Sequence, residues 1–262
     1  MDNNRSSLTL PLVGSAVALS LSPLVVALTR QMGLYPIILF PLVVVLWAVT
    51  RLSRRQMGIR IGNYRGYLVP LLYPLGVMGL TGVIAWVSGG IQASSIYVIG
   101  IAKAVAVLLL FTFAIGLITE EAFFRGWLWG ALRKSACEPR LVLVWTSLAF
   151  ALWHLAVPFV EPYFRFPLTV LPVYIANCFL IGMVFGFTRL ATGSVVASAF
   201  CHALWNAMTY TLYGSGVGTG AFKVASYQVY DPERGVLGLL LNLIAVMALR
   251  PWRVMRHGGM TV

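Results

Sequence analysis

Acidic side chains are scarce. Asp and Glu together number seven in 262 residues, and all charged types make up only 10% of the chain. A soluble globular domain carries about 25% charged residues, so this chain could not cover a water-facing surface and lipid must be its main solvent. Cysteine is nearly absent too. Cys137, Cys178 and Cys201 are odd in number, fit no metal-knuckle spacing and read as small buried hydrophobes. Also missing is a long basic arm or an aromatic-interleaved basic stripe. The net charge of +12 comes from 19 basic residues set mainly in short gaps between apolar runs, a pattern that sets membrane topology and excludes a nucleic-acid partner. The first residues lack a basic region followed by a small-residue cleavage site, so the first apolar run is expected to be retained. No soluble domain, repeat or low-complexity tract is visible.

What the chain has in abundance is apolar sequence, 60% of all residues. Apolar runs fall at about 8–29, 35–50, 67–88, 97–132, 141–160, 168–188, 195–213 and 236–250. Each can cross a bilayer or nearly so, and only helices satisfy their own backbone groups there. The expected fold is an all-α polytopic membrane protein, a bundle of about eight transmembrane helices around a buried intramembrane site. Residues 1–262 read as one transmembrane domain, with its polar motifs falling within about 97–213.

Charge placement agrees with that count. A cytoplasmic N-terminus puts Arg5, Arg51, Arg54, Arg55, Arg60, Arg65, Arg133, Lys134, Arg140, Arg189 and the tail arginines (Arg250, Arg253, Arg256) on the inner side. Arg30, Arg165, Lys223 and Arg234 fall in outer loops. Both termini are therefore expected in the cytoplasm. Run 97–132 is too long for one simple crossing, since about 36 helical residues extend roughly 54 Å. A bend near Gly116, or an end from Trp127 to Leu132 lying along the interface, would accommodate it. The Gly-rich connection 214–235 is the one substantial outer loop.

Against this background three polar groups stand out. The stretch ITEEAFFRGWLWGAL holds Glu120, Glu121 and Arg125 inside an apolar run, where each ionisable group costs about 2.5–3.5 kcal/mol on insertion scales. Glu121 and Arg125, four apart, can pair on one helix face, whereas Glu120 projects about 100° away. FALWH places Phe150 and His154 on one face, and HALWN does the same for His202 and Asn206. A lone histidine or asparagine in a membrane helix is commonly an interhelical hydrogen-bond partner, which is also the reading for Asn177 and Asn242. Here two of three histidines lie in spans beside an intramembrane acid. Counted from the nearest inner-side charge, Glu120, His154 and His202 lie at similar depth, roughly 20 Å in. A glutamate in such a site can act as general base toward water, a histidine can orient that water, and His202 with Asn206 can donate to a developing oxyanion.

Glu-Glu-x-x-x-Arg (Glu120, Glu121, Arg125), Phe-x-x-x-His (Phe150, His154) and His-x-x-x-Asn (His202, Asn206) resemble, in order, the motifs of the CAAX protease and bacteriocin-processing family, which includes the type II CAAX prenyl endopeptidases. The resemblance implies an intramembrane glutamate-type endopeptidase in which Glu120 and His154 activate water, His202 and Asn206 form the oxyanion hole, and Glu121 and Arg125 support the site. It implies a membrane-associated protein or peptide substrate and no cofactor. Competing readings are a zinc hydrolase using Glu120, His154 and His202 as ligands, a cysteine mechanism through Cys178 or Cys201, a non-catalytic membrane scaffold, and a transporter. Sixteen arginines against three lysines point to a GC-rich bacterium and hence to a bacterial inner membrane.

Overall fold

The computed structural model describes residues 8–31, 33–93, 96–160, 166–214 and 220–249. Arg5, Arg165, Arg250, Arg253, Arg256 and His257 lie outside the described residues. Eight helices follow the eight apolar runs: α1 Thr9–Thr29, α2 Leu34–Thr50, α3 Tyr64–Val87, α4 Val98–Ile118, α5 Pro139–His154, α6 Leu171–Thr192, α7 Val195–Leu212 and α8 Val236–Leu249. Five helical stretches (Thr9–Thr29, Tyr64–Val87, Val98–Lys134, Pro139–Val160 and Leu168–Thr192) are long and apolar enough to cross a membrane. Among the described residues there is no strand, only an isolated antiparallel bridge between Ile91 and Val224. The chain is a polytopic all-α membrane protein.

Helices α6 and α7 form the centre. Gly193 ends α6 in the left-handed region (φ 71°), and the Ser194 side chain then accepts from Ala197 N–H to start α7. The two helices are thereby folded back on each other. Helix α7 packs against α4 and α3, and α6 against α5 and α8. Polar side chains join these helices, as the sequence suggests for both asparagines. Asn242 Nδ2 donates to Asn177 Oδ1 (2.9 Å), and Tyr73 Oη donates to Asn242 Oδ1 (2.8 Å). The outer side of the bundle is apolar. Of α4 only Gly116 is buried, while Val107, Leu110 and Phe111 face outward.

The long fourth run breaks, but not at Gly116, which stays helical inside α4. The interruption is Thr119 (φ −109°, ψ −94°), followed by a π-helix over Ala122–Leu128 and a last α-helical turn and a half, Trp129–Lys134. A π turn accommodates one extra residue in the helical ladder. The carbonyl of Arg125, within that turn, accepts from Arg189 Nε at 3.1 Å. The end of the run is packed within the protein. Trp127, Leu128 and Leu132 are buried among protein atoms.

Candidate active site

Two of the three polar motifs reach a point where a helix is irregular or ends. Glu120 and Glu121 lie between the break at Thr119 and the π-helix, and His154 is the last residue of α5. His202 and Asn206 occupy successive turns of the continuous helix α7. The fold brings four of them, Glu120, His154, His202 and Asn206, to the wall of one cavity of about 170 Å³.

Glu120 Oε2 lies 3.9 Å from His154 Nε2 and 3.9 Å from His202 Nε2. These separations are too long for a direct hydrogen bond and suit a shared water. That oxygen is buried and takes no hydrogen bond from the described protein groups. The opposite edge of each imidazole is fixed. His154 Nδ1 is 2.8 Å from the Phe150 carbonyl, which can only accept, so Nδ1 carries a proton and neutral His154 keeps a lone pair on Nε2. His202 Nδ1 is 3.1 Å from Glu121 Oε1, and the same argument makes Nδ1 the donor to an ionised carboxylate.

Glu121 and Arg125 lie beneath, fully buried, with Arg125 Nη1 donating to Glu121 Oε1 at 3.1 Å. Arg125 Nη2 donates to the Gly182 carbonyl (3.0 Å), and its guanidinium sits over the Phe150 ring at 4.4 Å. Aromatic faces partly replace the water such a cation has lost. Phe185 stacks on His202 with ring centroids 4.9 Å apart and 25° between planes. Packing therefore restricts both rings of the site.

The cavity runs along α6 from Phe185 to Tyr174, about 16 Å at helical rise. At its far end are Tyr35, Tyr174, Tyr210 and Glu233, at helix ends remote from Arg51, Arg133 and Arg189. Trp153 and Trp205 also line it. Glu233 carried no signal in the sequence beyond being one of seven acids, placed in a loop that no periodicity constrains. Asp231 Oδ1 accepts from the N–H groups of Glu233 and Arg234 (both 2.8 Å), and this turn folds Glu233 back onto Trp205 Nε1, 2.8 Å away. Burial first, and then the Asp231 carboxylate, push the Glu233 carboxyl up to about 7.

Comparison with known families bears on the same segment. Residues 102–208 match the family model described as type II CAAX prenyl endopeptidase Rce1-like. The matched segment is Rce1-like. It covers about two fifths of the chain and contains all seven motif residues, from Glu120 to Asn206. The Rce1-like match is therefore to a family of endopeptidases, consistent with a membrane-associated substrate and a lipid environment. No curated protein matches the chain. Among the described residues, no three His, Cys, Asp or Glu side chains are arranged to hold a metal ion. Cys178 lines the cavity, and Cys201 is buried beside His202 in sequence.

Proposed function

We propose that this chain is an intramembrane glutamate-type endopeptidase that hydrolyses a peptide bond in a membrane-associated protein or peptide. One observation carries the reading: Glu120 Oε2 stands 3.9 Å from the Nε2 atoms of both His154 and His202. A water between Glu120 and His154 donates one proton toward Oε2 and the other toward the His154 Nε2 lone pair. Its own lone pair then faces the substrate carbonyl carbon. As the oxygen attacks, Glu120 takes the proton, and the carbonyl oxygen gathers charge. His202 Nε2–H and the Asn206 amide N–H groups donate to that oxygen. Glu120 next passes its proton to the leaving nitrogen as the C–N bond breaks, releasing a carboxylic acid and an amine.

His202 can donate from Nε2 while Nδ1 donates to Glu121 only as the imidazolium. Glu121 and Arg125 make this tolerable. With Glu120 and Glu121 ionised and Arg125 and His202 charged, the four groups sum to zero, the condition under which buried charges persist. Glu121 and Arg125 are thus positioning residues, and the four cavity residues are the catalytic ones. The whole chain acts as one transmembrane domain, set in a bacterial inner membrane with both termini cytoplasmic.

The test compares protein termini in cells carrying wild type and cells carrying Glu120→Gln at matched membrane levels. A defined new terminus present only with wild type is the expected result and identifies the substrate. Matching termini, with a phenotype still caused by loss of the gene and rescued by Glu120→Gln, would replace the protease by a scaffold.

A further inference from the structure

A second cavity, of about 410 Å³, lies at the opposite, basic end of the bundle. Arg55, Arg60, Arg133, Lys134 and Arg189 line it together with the Trp129 indole, and no Asp or Glu does. Basic residues at a membrane border ordinarily point separately into water or headgroups. These converge. Arg189 is 7% exposed and donates only to backbone carbonyls, those of Arg125 and Gln56, each at 3.1 Å. Arg60 Nε donates to the Gly193 carbonyl (2.9 Å), Arg133 Nη1 to that of Cys137 (2.8 Å) and Lys134 Nζ to that of Thr50 (2.8 Å). Among the described residues, none of these four cations is in an ion pair.

The backbone is shaped around two of them. Gly58 (φ 74°) and Gly193 (φ 71°) lie where a Cβ would strike the guanidinium groups of Arg189 and Arg60 respectively. Any side chain would both strain these turns and displace the cations. A buried guanidinium with carbonyl partners alone keeps its full charge and lacks a counterion, an expensive arrangement. Three further cations around it raise that cost.

We propose that this cavity binds a phosphate group, supplied by the headgroup of an anionic phospholipid or by free phosphate. Arginine forks match phosphate oxygens in pairs. Basic pockets between helices at a membrane border are suited to lipid headgroups, and Trp129, Pro139 and Leu190 offer apolar wall to the glycerol region. The site lies apart from the Glu120 cavity and does not depend on proteolysis.

The test uses delipidated full-length protein in neutral detergent, with binding of phosphatidylglycerol and phosphatidylcholine followed by native mass spectrometry. Wild type is expected to retain phosphatidylglycerol preferentially, and Arg60→Gln/Arg133→Gln to bind it about thirtyfold more weakly. Arg54→Gln/Arg65→Gln removes as much exposed charge from the same end outside the cavity and is expected to change little. Should the first double variant not fold, Lys134→Gln at an exposed position gives the same comparison with about a fivefold loss. A second arm titrates inorganic phosphate against thermal unfolding. Stabilisation of wild type but not of the cavity variant, without phosphatidylglycerol preference, names free phosphate as the source. Equal binding of the two lipids with no phosphate effect overturns the proposal, as does an equal loss in both double variants.

Discussion

At the scale of single residues, the groups around Glu120 Oε2 are expected to fail in different ways. On the proposed mechanism, Asn206→Ala removes one oxyanion donor and should lower kcat by about 10²–10³-fold while leaving the thermal midpoint in place. Arg125→Met removes one of the two cations paired with the buried Glu121 carboxylate, and should cost about 3–5 kcal/mol in unfolding measurements. Adding Glu121→Met should recover stability but not turnover. Glu233 predicts a pH effect. Its folded-state pKa is raised from 4.5 to about 7, so the folded protein holds that proton more tightly than the unfolded chain. The associated stabilisation is complete below about pH 4.5 and is lost as pH rises through about 7, about 3 kcal/mol in all. Thermal midpoints should therefore fall across this window, and Glu233→Gln should flatten the profile. The motif residues were legible because a carboxylate or imidazole in an apolar run has few inexpensive explanations. Glu233 was not, because only the turn made by Asp231 brings a loop carboxylate to Trp205.

At the scale of elements, helix existence was readable for a simple reason: bilayer thickness dictates run length, and all eight runs became helices. The π-helix over Ala122–Leu128 was not readable. Its cause is tertiary, since the Arg125 carbonyl is capped by Arg189, 64 residues later, and no local residue type announces it. Gly116 looked like the natural hinge only because glycine tolerates bending, yet it sits against α7 in an unbroken helix. The pairing of Asn177 with Asn242 was foreseeable by type, though not the Tyr73 hydroxyl that completes it. Asn242→Leu should remove this tie between α3, α6 and α8 and lower unfolding stability by about 1–2 kcal/mol.

Taken as a whole molecule, the protein has two unlike ends. Arg51, Arg133 and Arg189 gather at one, while Tyr35, Tyr174 and Glu233 line the Glu120 cavity toward the other. Positive-inside sorting predicts that the first faces the cytoplasm. In a Cys137→Ser background, a membrane-impermeant maleimide added to intact cells should label Gln228→Cys and spare Arg51→Cys; the reverse pattern would invert the orientation.

The outward face of α4 has a further consequence. Glu120 hangs from the end of a 21-residue helix, Val98–Ile118, whose only buried residue is Gly116. The whole stretch Val98–Lys134, 37 residues, is longer than a typical hydrocarbon core is thick. A change in acyl-chain length taken up by tilting that helix is delivered to the carboxylate at its tip. Turnover in vesicles of graded lipid length should pass through a maximum, with the bilayer itself acting as a dial on the chemistry.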